Sequence, residues 1–263
     1  MSRFADGWLA LREPYDRAAR SSALAEQFAR ALGPASPVID LGCGTGANLR
    51  YLAPRLAPRP WLCLDRDRDL LARAEAALGR RQSAVEGQGS VRFAVLDLAT
   101  GLDSLVFDGA GVTASALLDL ASTAWLDRLA ERCRRAPVLM ALSFDGRLSW
   151  HPALDEDDLI RARFLQHQRT DKGFGPALGP AAASHLAERL EAAGHRVTTA
   201  TSDWRLGAVD KALLEATLDS VIAAGAEIQD DRRLARWAAE RRSQLARGDL
   251  ALVVGHVDLL ALP

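Results

Sequence analysis

Short apolar runs recur along the chain and alternate with longer Ala-, Leu- and Arg-rich stretches. Val38-Ile39-Asp40-Leu41, Trp61–Asp65, Val91–Leu98, Gly111–Leu120 and Pro137–Phe144 read as five strands, with helices between them. That alternation predicts an α/β fold with an open, mostly parallel sheet and helices on both faces. Before Val38 the pattern predicts two helices, Phe4–Arg12 and Pro14–Leu32, with Pro14 at the first turn of the second. After the fifth strand, Asp145–Gly179 interrupts the alternation and carries an acidic helix, Asp155–Gln168. A helix at Pro180–Ala193, a sixth strand at Arg196–Asp203, two helices within Gly207–Gly248 and a seventh strand at Ala251–Leu262 complete the chain.

The first strand runs into Gly42-Cys43-Gly44-Thr45-Gly46, three glycines at alternate positions followed by a helix start. Glycine lets the backbone turn sharply or lie against a ligand where a side chain would collide. A strand, a glycine turn and a helix N-terminus build a cofactor cleft at the carboxyl end of an α/β sheet. Two readings compete there, because Gly42, Gly44 and Ala47 also satisfy the dinucleotide fingerprint, in which a pyrophosphate rests on the helix N-terminus. Asp40 shifts the balance. A fixed negative charge two residues before the first glycine repels a pyrophosphate but suits a cationic ammonium group.

In these residues the chain resembles the class I S-adenosylmethionine-dependent methyltransferases, whose first motif is an acid followed by GxGxG, as Asp40, Gly42, Gly44 and Gly46 are here. The resemblance implies a seven-stranded sheet whose last strand is antiparallel, and further acids at strand ends. Asp65 ends the second strand nineteen residues after Gly46, where the family's acid hydrogen-bonds ribose hydroxyls. Asp97 falls where the family places an acid near the adenine amine, with Leu98 offering its backbone. Asp119 and its neighbours end the fourth strand on the same edge. An aspartate at a strand end is often only a cap or turn former, but Asp40, Asp65 and Asp97 recur on one edge of three successive strands. Cys43 reads as a small filler.

Composition fits one 263-residue domain, 49% hydrophobic and 25% charged. Formal charge of -1 gives no footprint for gripping nucleic acid. Arg232, Arg233, Arg236, Arg241 and Arg242 form a stripe that an RNA methyltransferase would use, but Asp230, Asp231 and Glu240 interleave with it, so a solvated face is expected. Three cysteines point to a reducing cytoplasm, and no apolar run approaches the eighteen or so residues of a membrane span.

The resemblance divides the chain into a helical lid at 1–34, a cofactor-binding half at 35–144, a substrate-loop insertion at 145–179 and a C-terminal half at 180–263. On the lid, Arg12, Tyr15, Asp16 and Arg20 stand at helical spacing, and a solvated surface is the plainer expectation for them. Arg169, Asp171 and Lys172, in a loop dense in Gly and Pro around Phe174, are the candidate substrate contacts, with Trp125 as a further wall. Trp150 and His151 are placed at the mouth, and His167 reads as a packing residue. The implied reaction is in-line transfer of a methyl group from S-adenosylmethionine to a nitrogen or oxygen of a small molecule, leaving S-adenosylhomocysteine. Asp119 or His151 would remove the acceptor's proton. The fourth strand lacks the (D/N)PP(Y/F) signature, and no Pro-Cys pair supplies a nucleophile for a base ring. A non-catalytic cofactor-binding module and an NAD-dependent oxidoreductase are the alternatives.

Overall fold

The structure, a computed structural model, describes residues 6–82 and 89–263. In chain order its elements are α1 (Asp6–Ala19), α2 (Ser22–Ala31), β1 (Val38–Leu41), α3 (Ala47–Leu52), β2 (Trp61–Asp65), α4 (Arg68–Gln82), β3 (Val91–Val95), α5 (Leu98–Gly101), β4 (Gly111–Ser115) and α6 (Thr123–Arg132). There follow β5 (Val138–His151), α7 (Asp157–Gln168), α8 (Ala182–Ala192), β6 (Arg196–Thr201), β7 (Trp204–Leu206), α9 (Lys211–Gln229), α10 (Arg232–Arg247) and β8 (Ala251–Leu262). The sheet runs β3-β2-β1-β4-β5-β8-β6, with β7 paired to β8. Pairs from β3 to β5 are parallel, and β8 is antiparallel to β5, β6 and β7.

Side chains alternate across this sheet with the two-residue period of a strand. Val138 and Met140 enter a core under α6 and α8, whereas Leu139 enters the core under α2, α3 and α4. Leu259 and Ala261 of β8 join the first core and Leu260 the second, so both faces are covered. A third core forms where β5, β7 and β8 rise above the parallel sheet. There Phe144, Leu148 and Trp150 pack with Trp204, Leu213, Leu218 and Trp237 under α7, α9 and α10. Each such large side chain, once buried, stabilises the fold by about 1.5–3 kcal/mol.

Three expectations change. The sheet has eight strands, because the expected sixth strand ends at Thr201 and a short β7 pairs Trp204 with Val254. β5 continues to His151, through the start of the expected insertion, and pairs with β8 across two register shifts. Leu142 at φ +55° and Gly146 at φ +91° absorb these irregularities, so Asp145-Gly146-Arg147 is a bulged stretch of β5. Pro14 lies inside α1 and does not start a second helix. The packing of Trp8, Leu11 and Tyr15 on the third core carries the helix past the bond that proline cannot donate. Phe4, expected to open the first helix, lies outside the described residues.

Candidate functional site

The chain passes from β1 outward to β3 and returns to β4 on the other side of β1, which leaves a crevice beyond the carboxyl ends of these two strands. The glycine loop fills its floor. Gly42, Gly44 and Gly46 have φ of +65°, +53° and +81°, in the left-handed region that favours glycine. The Gly44 N–H donates to Asp65 Oδ2 at 2.8 Å, and the Asp67 N–H donates to Asp65 Oδ1 at 2.9 Å. Asp65 thus fixes the loop against the end of β2, and its remaining lone pairs stay available. Leu9 of α1 lies over Gly44, where an added Cβ would be 3.9 Å from its Cδ1.

Asp40 is completely buried beneath the loop. Asn48 Nδ2 donates to its Oδ1 at 2.6 Å, while Oδ2 has no hydrogen-bond partner among the described residues. Burial pushes its pKa up to about 7, against the opposing influence of the Asn48 bond and of Arg20, with Asp65 adding repulsion. A buried carboxylate oxygen without a donor is costly. The arrangement fits a cofactor that brings a cationic amine to the loop.

Asp97 caps α5, its Oδ1 accepting from the Ala99 N–H at 3.0 Å, and remains exposed. Leu98 is the first residue of that helix, so its N–H has no intrahelical acceptor. Its carbonyl accepts from Trp125 Nε1 at 2.8 Å. Trp125 is therefore a core residue and not a wall of the crevice: it is 4% exposed and meets Phe174 edge-on at 5.2 Å. Two anchored groups, the α5 carbonyl and the Phe174 ring, hold it there.

Asp119 sits in the 3-10 turn Leu118–Leu120 after β4, partly exposed on the crevice rim. Burial raises its pKa to about 6, against the opposing influence of the nearby Asp119 and Phe144 backbone N–H groups and of Arg12. His151 is not in this site. Ala141 of β5 pairs with Ser115 at the crevice edge, whereas His151 pairs with Ala251 ten residues further along, roughly 30 Å of extended strand. The sequence-based placement failed because β5 was read as ending at Phe144.

The Arg169–Gly179 loop reaches the crevice rim. The Leu178 N–H donates to the Ala121 carbonyl at 2.8 Å, and a Cβ on Gly173 would come within 2.5 Å of Arg66 Nη1, just past β2. Its charged residues are turned to other work. Asp171 Oδ1 accepts from the N–H groups of Gly173 and Gly175 at 2.6 and 3.0 Å and so folds its own loop. Arg169 caps α7 and is exposed. Lys172 lies near Glu227 of α9, and partial burial lowers its pKa.

A cluster that the sequence does not announce packs behind the rim near Asp119. Trp204 lies 5.0 Å from the His256 ring and 6.0 Å from Trp8, and Phe144 is 6.3 Å from His256. The Arg12 guanidinium stacks over Trp204 at 5.0 Å and pairs with Asp16 at 2.8 Å. Burial and the nearby Arg12 charge push the His256 pKa down to about 3, so the ring is neutral. No local motif announces this group, since it is assembled from α1, β5, β7 and β8. The lid residues are correspondingly not a solvated surface: Tyr15 donates to Asp210 at 3.0 Å and Arg20 to Asn48 at 2.7 Å. Three arginines of the α10 stripe are held by partners, with Arg236 paired to Glu156, Arg242 to Asp219 at 3.1 Å and Arg241 fully buried against Asp157. His167 pairs with Glu227 at 3.1 Å. Among the described residues no helix is long and apolar enough to cross a membrane.

No family profile matches the chain. Over 59 residues it is 44% identical to the biotin biosynthesis bifunctional protein BioCD of Bordetella avium, a stretch that makes up 22% of this chain and 13% of that protein. Among solved structures, a candidate methyltransferase from Bacillus halodurans aligns over 92% of this chain and 97% of its own, with a TM-score of 0.50 and 14% identity. A cyclopropane synthase, MmaA2, from Mycobacterium tuberculosis aligns over 90% of this chain and 81% of its own, with a TM-score of 0.49 and 14% identity. At such identities the likeness is one of fold. The fold is that of the class I methyltransferases, with its mixed sheet and single antiparallel strand β8 inserted beside β5.

Proposed function

We propose that the chain transfers a methyl group from S-adenosylmethionine to a nitrogen or oxygen atom of a small molecule, releasing S-adenosylhomocysteine. The observation that carries this reading is the crevice floor: three left-handed glycines above a buried Asp40 that keeps one carboxylate oxygen free. Asp40 and the loop amides of Gly42, Gly44 and Gly46 would hold the amino-acid end of the cofactor. The spare lone pairs of Asp65 would accept from the ribose hydroxyls, and Asp97 with the Leu98 N–H would meet the adenine edge. The bound cofactor supplies an activated methyl group on a sulfonium, so the protein's share is orientation, exclusion of water and removal of a proton.

Asp119 is the group we assign to the last of these. With a pKa near 6 it is ionised at neutral pH yet basic enough to accept a proton from an acceptor. Phe144, Trp8 and Trp204 form the apolar core behind it, which keeps its surroundings poorly hydrated. The pairing of the α10 arginines with acids, and a formal charge of -1, support a small acceptor over RNA. Titration calorimetry with S-adenosylhomocysteine and, separately, with NADH tests the reading. Binding of the first without the second is expected; binding of NADH alone would overturn it in favour of an oxidoreductase.

A further inference from the structure

A chain of buried polar groups runs from the lid to the glycine loop. Arg20, between α1 and α2, is 7% exposed, and its Nη1 donates to Asn48 Oδ1 at 2.7 Å. Asn48, on α3, donates in turn to Asp40 Oδ1 at 2.6 Å and to Thr113 Oγ1 at 3.2 Å. Thr113 passes its own proton to the Leu139 carbonyl at 2.8 Å. With both amide ends of Asn48 committed, its orientation is fixed, and so is the Asp40 oxygen it engages. The guanidinium of Arg20 lies 4.0 Å from the Tyr51 ring centroid, and the next residue, Ser21, donates its N–H to Asp258 Oδ2 at 2.8 Å. The junction of the two lid helices is thereby seated on α3 and β8 at once.

We propose that Arg20 is a positioning residue of the cofactor cleft: through Asn48 it holds the Asp40 carboxylate charged and with one oxygen free beneath the glycine loop, and so couples cofactor binding to docking of the α1–α2 junction. The inference rests on the methyltransferase reading for the identity of the ligand. The relay itself lies wholly within the chain.

The charges around Asp40 define what Arg20 must do. Asp65 at the end of β2 repels the Asp40 charge, Arg20 from the lid stabilises it, and Asn48 from α3 donates to it. Thr113 from β4 is neutral, and the buried Cys43 thiol of the loop has its pKa pushed up by its contact with Cys63 and by burial, so it adds no charge beside Asp40. Arg20 in turn faces Asp258, Tyr51 and Asp16, so its own charge is held by acids on β8 and α1 as well as by Asp40. Among the described residues, Arg20 is the one cation acting on Asp40. Loss of its charge therefore shifts the carboxylate toward its protonated form, which cannot hold an ammonium.

Two readouts separate this role from simple support of the fold. The first is titration of the Asp40 carboxyl carbon by NMR in the ligand-free protein; the second is the affinity for S-adenosylhomocysteine by calorimetry between about pH 5.5 and 8.5. In the wild type, affinity should rise roughly tenfold per pH unit up to the Asp40 midpoint and then level off. In Arg20→Met both the carbon titration and the affinity profile should move to higher pH by at least about half a unit, and Arg20→Lys should return them toward the wild type. Asn48→Ala, which cuts the relay while leaving Arg20, should shift them in the same direction and serves if Arg20→Met does not fold. A loss of affinity by one constant factor at every pH, with the Asp40 titration unmoved, would overturn the proposal. If the wild type binds no S-adenosylhomocysteine, the functional reading fails, and the ligand-free titration still decides whether the relay exists.

Discussion

Replacing Asp119 with asparagine should stabilise the protein while impairing its reaction, and the size of the effect follows from the carboxylate's surroundings. Burial raises the Asp119 pKa from an ordinary 3.8 to about 6. An acid whose pKa is higher folded than unfolded keeps its proton longer in the native state, so its contribution to stability is complete below pH 3.8 and is lost as pH climbs to 6. A gap of roughly two units corresponds to about 3 kcal/mol, an upper bound because the carboxylate is partly exposed and screened by water. About half of that loss has already developed at pH 5, which leaves about 1.4 kcal/mol between pH 5 and pH 7.5. Asparagine keeps an oxygen near the Phe144 N–H and carries no charge at any pH. In urea titrations the variant should therefore gain on the wild type by up to about 1.4 kcal/mol more at pH 7.5 than at pH 5. Asp40 titrates nearby in both proteins and cancels in this comparison. A stability difference that stays the same at both pH values would refute the reasoning. Methyl transfer should fall by about 10²–10⁴-fold if Asp119 removes the acceptor's proton, with S-adenosylhomocysteine affinity kept.

Three further variants probe other parts of the molecule. Gly46→Ala forces a side chain into φ +81° and sets a Cβ 3.3 Å from Arg50 Nη1 and 3.4 Å from the Ala74 Cβ; it should cost about 1–2 kcal/mol in urea titrations and weaken S-adenosylhomocysteine binding by tenfold or more in calorimetry. Arg241→Met removes a fully buried guanidinium that donates to the Pro152 carbonyl at 2.6 Å and to Gln244 Oε1 at 2.7 Å, between Trp150 and Trp237. It should lower stability by about 3 kcal/mol, read by thermal or urea unfolding, without changing cofactor affinity at temperatures where the protein is folded. His151→Ala, at the exposed end of β5, should leave both cofactor affinity and turnover within about twofold of the wild type; a larger fall in turnover would return His151 to the site.

The cofactor side of the crevice was legible because its signals are local. β1 and β2 occupy the residues expected of them, each an apolar run stopped by an acid or a glycine. β3 and β4 end earlier than their apolar runs suggest, and for a physical reason in each case. Asp97 caps a helix as soon as the strand ends, and the apolar residues Leu117 and Leu118 are buried by a tight turn without being in a strand. At β5 the error has the opposite sign. Asp145-Gly146-Arg147 has the composition of a turn, but β8 is present to pair beyond it, and a bulge with an Asp145–Arg147 ion pair lets the strand continue. Pairing with a strand more than a hundred residues away cannot be read from the three residues themselves.

The same contrast explains why the acceptor side was hidden. A cofactor loop is recognisable because its work is done by backbone conformation, which glycines at +65°, +53° and +81° impose within five residues. The core behind Asp119 is made by side chains, and Trp8, Phe144, Trp204 and His256 meet only because β8 places its residues next to both β5 and β7 while α1 lies across them. Extending β5 and β8 beyond the parallel sheet therefore has a functional consequence. It provides the third core with a surface to fold on, and it lifts His256 and Trp204 to the height of Asp119 and the lid. Arg12 is the hinge between these parts, since its charge reaches Asp119, Asp16 and His256 together. A substitution in the third core that tilts this ribbon would on this argument change turnover before it changed cofactor affinity, because the glycine loop is anchored to β2 and the lid junction instead.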